Sequence, residues 1–218
     1  MSALRYSARI DRCTLLGPGS RAVIYVHGCC FSCKGCIASG FQAQEPIETT
    51  AEEMAAWYLS LEGCEGLTIS GGEPMLQAQA LSEVVDLIRR EKDAGVIAYT
   101  GFVYEALLER AKEHEDISRL LKRIDLLIDG PYVQEKDEGQ FARGSSNQRL
   151  IALSPRYQSD IGPYYQSGRA REMELRLEGQ RVMMIGVPSA GQSMLWRQLK
   201  QNIQDQNAQG GSNPWPHS

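Results

Sequence analysis

The stretch Ala22-Val23-Ile24-Tyr25-Val26-His27-Gly28-Cys29-Cys30-Phe31-Ser32-Cys33-Lys34-Gly35-Cys36 passes from an apolar, β-branched run into a loop crowded with thiols. The run follows the turn signal Gly17-Pro18-Gly19, so it reads as a strand. Four of the six cysteines fall within Cys29–Cys36, and that crowding points to metal. Cys13 and Cys64 stand alone and read as ordinary thiols.

Outward from the loop, strands alternate with amphipathic helices. Thr49 or Thr50 can cap a helix that opens with Glu52 and Glu53 and carries Met54, Trp57, Tyr58 and Leu61 at helical spacing. Gly66–Ser70 is the next strand, and a helix over 77–92 places Leu81, Val84, Val85 and Ile88 on one face. Strands follow at Gly95–Thr100, Ile124–Ile128 and Arg149–Leu153, with a helix over 102–111. Such alternation predicts βαβ units and a mainly parallel sheet. After Ser154 the pattern changes to a β-hairpin over 172–187 and a helix over 193–203. The Gly/Pro-rich segment 205–218 is expected to be a disordered tail.

Composition narrows the classes. The 218 residues carry 23 Lys and Arg against 27 Asp and Glu, a net charge of −4, so no basic footprint for nucleic acid is expected. No apolar run approaches the ~18–20 residues of a membrane span. The N-terminal Met-Ser-Ala-Leu-Arg-Tyr lacks the apolar stretch of a signal peptide, so a cytoplasmic protein is expected.

The cysteine spacing has two registers: C-x3-C-x2-C from Cys29, or C-x2-C-x2-C from Cys30. The second begins a bacterial ferredoxin run, but that run needs a further cysteine and a proline where Gly40 and Phe41 stand. Three thiolates on a four-iron cluster leave one iron open, which suits an enzyme better than an electron carrier, by the logic that separates catalytic from structural zinc sites. Structural zinc with His27 as a fourth ligand is the competing reading, and the rival class is a non-catalytic iron–sulfur or zinc protein.

Taken with its place after the first strand, the motif resembles the radical S-adenosylmethionine (SAM) signature. That resemblance implies a [4Fe–4S] cluster on Cys29, Cys33 and Cys36. It also implies that the open iron chelates SAM, whose reductive cleavage gives methionine and a 5′-deoxyadenosyl radical. Ser70-Gly71-Gly72-Glu73-Pro74, at the end of the second strand, is similar to the GGEP loop that holds the methionyl amino group of SAM. Further stretches resemble the activating enzymes of anaerobic (class III) ribonucleotide reductase: Gly17–Arg21, Tyr99–Phe102, Ile124–Gly130 and Arg143–Gln148.

The resemblance implies an incomplete (β/α) barrel of about five or six mostly parallel strands over residues 1–153, with the hairpin and helix of 154–204 appended. It implies SAM contacts from Gly71, Gly72, Glu73, Pro74, Thr100, Asp129, Arg143, Ser145 and Asn147. It also implies an electron donor such as flavodoxin or ferredoxin, and a glycyl-radical enzyme as partner. A peptide or small molecule is the alternative substrate. Two departures stand out. Ile37-Ala38 replaces the usual aromatic and Asn after the third cysteine, and residues 154–218 have no counterpart in the short activase.

Overall fold

A computed structural model describes residues 2–139, 143–165, 171–178 and 181–208. In chain order its elements are β1 (Ala3–Cys13), β2 (Arg21–Val26), α1 (Ser39–Gln42), β3 (Ile47–Thr50), α2 (Ala51–Ser60), β4 (Gly66–Gly71), α3 (Ala78–Glu91) and β5 (Gly95–Tyr99). Then follow α4 (Tyr104–Arg110), α5 (Glu115–Leu121), β6 (Leu126–Asp129), β7 (Arg149–Ala152), α6 (Gln158–Tyr165), β8 (Met173–Glu178), β9 (Arg181–Gly186) and α7 (Ala190–Ala208).

Seven strands form one sheet in the order β3-β1-β2-β4-β5-β6-β7, and β8 and β9 form a separate hairpin. The centre β2-β4-β5-β6 is parallel. The flanks β3, β1 and β7 pair antiparallel. The parallel set is thus four strands rather than the expected five or six. The reason lies in the connections. A parallel return needs a crossover, and between β6 and β7 the described residues hold only the short 3-10 turn Gln134–Lys136. The strand therefore comes back antiparallel.

Side chains of the parallel strands alternate between two cores, as a period of two requires. Ala22, Ile24, Val26, Leu67, Ile69, Val96 and Ala98 join the cluster under α2, α3 and α5. Val23 and Tyr25 join Ile10, Leu15, Leu16 and Ile185 on the opposite, inner face, where Ile97, Leu126 and Ile128 meet Tyr157. All six residues of β2 are buried, which explains its unbroken apolar run. Helix α2 starts where its chemistry says it should: Thr50 accepts from the Glu53 N–H, and the Glu53 carboxylate accepts from the Thr50 N–H.

The hairpin forms close to its expected place. Helix α7 begins three residues before Ser193 and runs past Asp205, into the segment expected to be disordered, to Ala208. The rest of that expected tail, 209–218, lies outside the described residues.

Candidate functional site

The cysteine loop leaves the C-terminal end of β2 and is tied down at its root by side chains from two neighbours. Gln42 accepts from the Gly28 N–H at 2.7 Å and donates to the Val26 carbonyl at 3.2 Å. Gln77 donates to the His27 carbonyl at 2.9 Å while pairing with both backbone groups of Arg5. The β4 end then runs directly against the loop. The Gly72 N–H donates to the Val26 carbonyl and the Glu73 N–H to the Gly28 carbonyl, both at 2.8 Å.

This contact explains the two glycines. At Gly71 φ is +103°, and a side chain there would sit 2.5 Å from the Val26 nitrogen. A Cβ on Gly72 would lie 2.0 Å from the Gly28 carbonyl oxygen. Only glycine lets strand β4 pass the root of the cysteine loop.

All six cysteines are free; Cys29 and Cys30 are exposed, and Cys33 and Cys36 are partly covered. Burial, then the neighbouring Glu73, Cys30 and Cys36, raise the Cys29 thiol above its ordinary range. Burial followed by Cys33 does the same to Cys36. Burial, then Glu73, raises the Cys30 thiol as well, with Arg110 pulling the other way. Electrostatically, Cys29 feels both Cys30 and Cys36, and Cys36 feels Cys33. His27 Nδ1 lies 3.0 Å from Ser7 Oγ. Among the described residues no group of three His, Cys, Asp or Glu side chains is placed to hold a single metal ion.

The remaining sequence candidates are brought to the same sheet edge, where most are engaged by protein. Glu73 is buried and accepts from Thr100 Oγ1 at 2.8 Å, the Gly101 N–H at 2.8 Å and the Met75 N–H at 3.0 Å. Desolvation raises its carboxyl above the ordinary range, against the pull of those bonds. Pro74 opens the following 3-10 turn. Asp129 is fully buried and accepts from the Tyr104 N–H at the start of α4 and from the Arg149 guanidinium. Arg149 also pairs with Glu105, whose carboxyl it holds down at about 2.

In the loop before β7, Arg143 donates to the Gln148 carbonyl at 3.2 Å, and Ser145 Oγ accepts from the Val133 N–H. Asn147 donates to the Pro131 carbonyl at 2.8 Å, yet its Oδ1 is buried with no partner among the described residues. An orphaned acceptor of this kind is costly unless a ligand donor meets it. Four free thiols on one loop, one more than a three-cysteine cluster needs, and this acceptor on the same edge fit a cluster and a hydroxyl- or amine-bearing cofactor.

Sequence reasoning missed Gln42, Gln77, Phe31 and Arg171. Phe31 packs edge-on against Phe102, with centroids 4.9 Å apart, and so links the cysteine loop to the end of β5. Phe31 lies within the cysteine loop, but the roles of all four come from partners distant in sequence.

The family described as the 4Fe-4S single cluster domain matches residues 15–151. The chain belongs to that family. Its match spans β2 to β7, including the whole cysteine loop and its neighbours, and supports an iron–sulfur cluster in this chain. Three similar proteins are anaerobic ribonucleoside-triphosphate reductase-activating proteins. That of Enterobacteria phage T4 is 33% identical over 152 residues, 65% of this chain and 90% of the relative. That of Vibrio cholerae serotype O1 is 34% identical over 145 residues, 61% and 87% of the two chains. That of Haemophilus influenzae is 32% identical over 141 residues, again 61% and 87%. No helix among the described residues is long and apolar enough to cross a membrane.

Proposed function

We propose that this chain binds a [4Fe–4S] cluster through Cys29, Cys33 and Cys36 and cleaves SAM reductively there. We further propose that it thereby activates a partner enzyme by forming a glycyl radical. The observation that carries the reading is the cluster of free thiols on the Cys29–Cys36 loop beside the Gly71–Gly72 passage, at the C-terminal edge of a parallel sheet. That edge is where open α/β sheets bind ligands. The relatives' activity toward anaerobic ribonucleoside-triphosphate reductase supports a partner of that kind.

When bound, the cluster and SAM supply an electron and a carbon radical able to take hydrogen from a backbone carbon. The chain's own residues hold and exclude. Gln42 and Gln77 fix the root of the cysteine loop. Glu73 ties the end of β4 to that of β5, and Asn147 Oδ1 offers an acceptor to a cofactor hydroxyl or amine. A second reading, a peptide or small-molecule substrate, is favoured by the residues after 151 that wall the space beside Cys36.

The test is anaerobic reconstitution with an electron donor such as flavodoxin or ferredoxin. We expect about four irons and four sulfides per chain, release of methionine from SAM, and a radical EPR doublet in the glycyl-radical protein encoded nearest the gene. Alanine at Cys29, Cys33 or Cys36 should abolish SAM cleavage, and Cys30→Ala should retain it. Zinc without iron, or loss of the cluster in Cys30→Ala with retention in Cys29→Ala, would overturn the assignment.

A further inference from the structure

The inner face of the sheet does not stay open. A cavity of about 130 Å³ lies beside the cysteine loop, with Tyr25, Ser70, Tyr99 and Cys36 on the core side. Its other side is built by Met184 and Val187, from the segment after the family match ends. A wider groove of about 560 Å³ continues from Cys36 between the α1 region and Met183, Trp196 and Arg197. Anything that reaches Cys36 through this space touches the C-terminal segment.

One residue fastens that segment. The Arg171 side chain is 2% exposed and pairs with Asp137 at 2.8 Å. It donates to the Pro188 carbonyl at 2.7 Å, within the segment, and to the Arg143 and Gly144 carbonyls at 2.7 and 2.9 Å. A guanidinium presents its donors in a rigid fork, so this one side chain fixes three backbone stretches relative to one another. Two of those acceptors open the Arg143–Gln148 loop that carries Asn147.

We propose that β8, β9 and α7 form a wall of the site, with Arg171 as the positioning residue that fastens the wall to the Arg143–Gln148 loop. The wall limits the bulk of what approaches Cys36. Its selective role rests on reading Cys36 as a cluster ligand, whereas the fastening itself does not.

The test uses the full-length, cluster-loaded chain and two readouts that need no turnover. Hydrogen exchange follows residues 143–148 and 182–197; iron extraction by a bulky anionic chelator, bathophenanthroline disulfonate, follows access. Arg171→Met should raise exchange in both segments, leave β2, β4 and β5 protected, and speed extraction by about tenfold, since a buried ion pair is lost. Trp196→Ala should speed extraction while leaving 143–148 protected. Wild-type exchange at 182–197 in Arg171→Met would overturn the proposal. So would loss of protection throughout the sheet, which would make Arg171 a general stability residue. Unchanged extraction in both variants would remove the wall from the access route. Failure of SAM cleavage would leave both readouts standing, and a chain without iron would still report through exchange.

Discussion

Tyr58 lies on α2 with 1% of its surface exposed, and its hydroxyl has no hydrogen-bond partner among the described residues. Burial pushes the phenol up to about 12, from an ordinary value of 10. Tyr58→Phe removes a buried polar group that meets nothing, so it should stabilise the chain by about 1 kcal/mol at pH 8. The sign of the pH effect follows from linkage. The folded protein keeps the Tyr58 proton between pH 10 and 12 while the unfolded chain releases it, so that contribution to stability falls as pH rises through this window. The Phe variant has no such loss, and its advantage should widen by pH 11. Urea melts of both proteins at pH 8 and 11 check this, and a less stable variant at both pH values would mean that the hydroxyl has a partner in solution. The same gap between position and partner governs the site. That Glu73 and Asp129 end strands was legible from the sequence; that Thr100, Gly101 and Arg149 occupy them was not, because those partners lie 20 to 28 residues away.

The passage of β4 past the cysteine loop is the element on which the site depends. Gly72→Ala drives a methyl into the Gly28 carbonyl, backbone against backbone, with no flexible neighbour to yield. It should cost about 3 kcal/mol and lower the iron retained after reconstitution. Gly28→Ala is the control: nothing lies within 4 Å of its Cβ, and only the φ of +94° opposes it. That substitution should cost about 1–2 kcal/mol and retain more iron than Gly72→Ala. Melting temperature and iron content for the pair would decide the matter, and equal losses would remove the close approach as the cause. Elements with strong patterns, such as α2 with its capping box and the four buried strands, were legible in advance. Strand β1 was not, because its Arg and Asp residues face outward on a flank and break up the apolar signal. Helix α5, seven residues with only Ile117, Leu120 and Leu121 buried, follows α4 so closely that no turn signal in the sequence marks where it begins.

At the scale of the molecule, the parallel sheet has a working end and a fastened end. Arg21 is completely buried at the fastened end, at the start of β2. Its guanidinium donates to Thr68 Oγ1 at 2.7 Å, to the Leu67 and Gly95 carbonyls at 2.8 Å each, and to the Tyr157 hydroxyl at 2.7 Å. It thus joins β2, β4 and β5 to the segment that leads into α6. The Gly17–Arg21 stretch carried part of the family resemblance, yet it stands one strand length, about 17 Å, from the cysteine loop. Its meaning is architectural: it holds together the three strands whose other ends carry Cys29, Glu73 and Thr100. No pattern in the sequence distinguishes a buried Arg from an exposed one, so this role became legible only through the fold. Arg21→Met fills similar space but leaves the Leu67 and Gly95 carbonyls and the Tyr157 hydroxyl without their donor. Burying several unsatisfied groups should cost about 3–5 kcal/mol. The remaining folded protein should still take up iron to the wild-type ratio, because nothing at the working end has changed. Denaturant melts, with iron measured per folded chain, test both halves. A variant that melts like wild type but no longer cleaves SAM would place Arg21 in the chemistry instead.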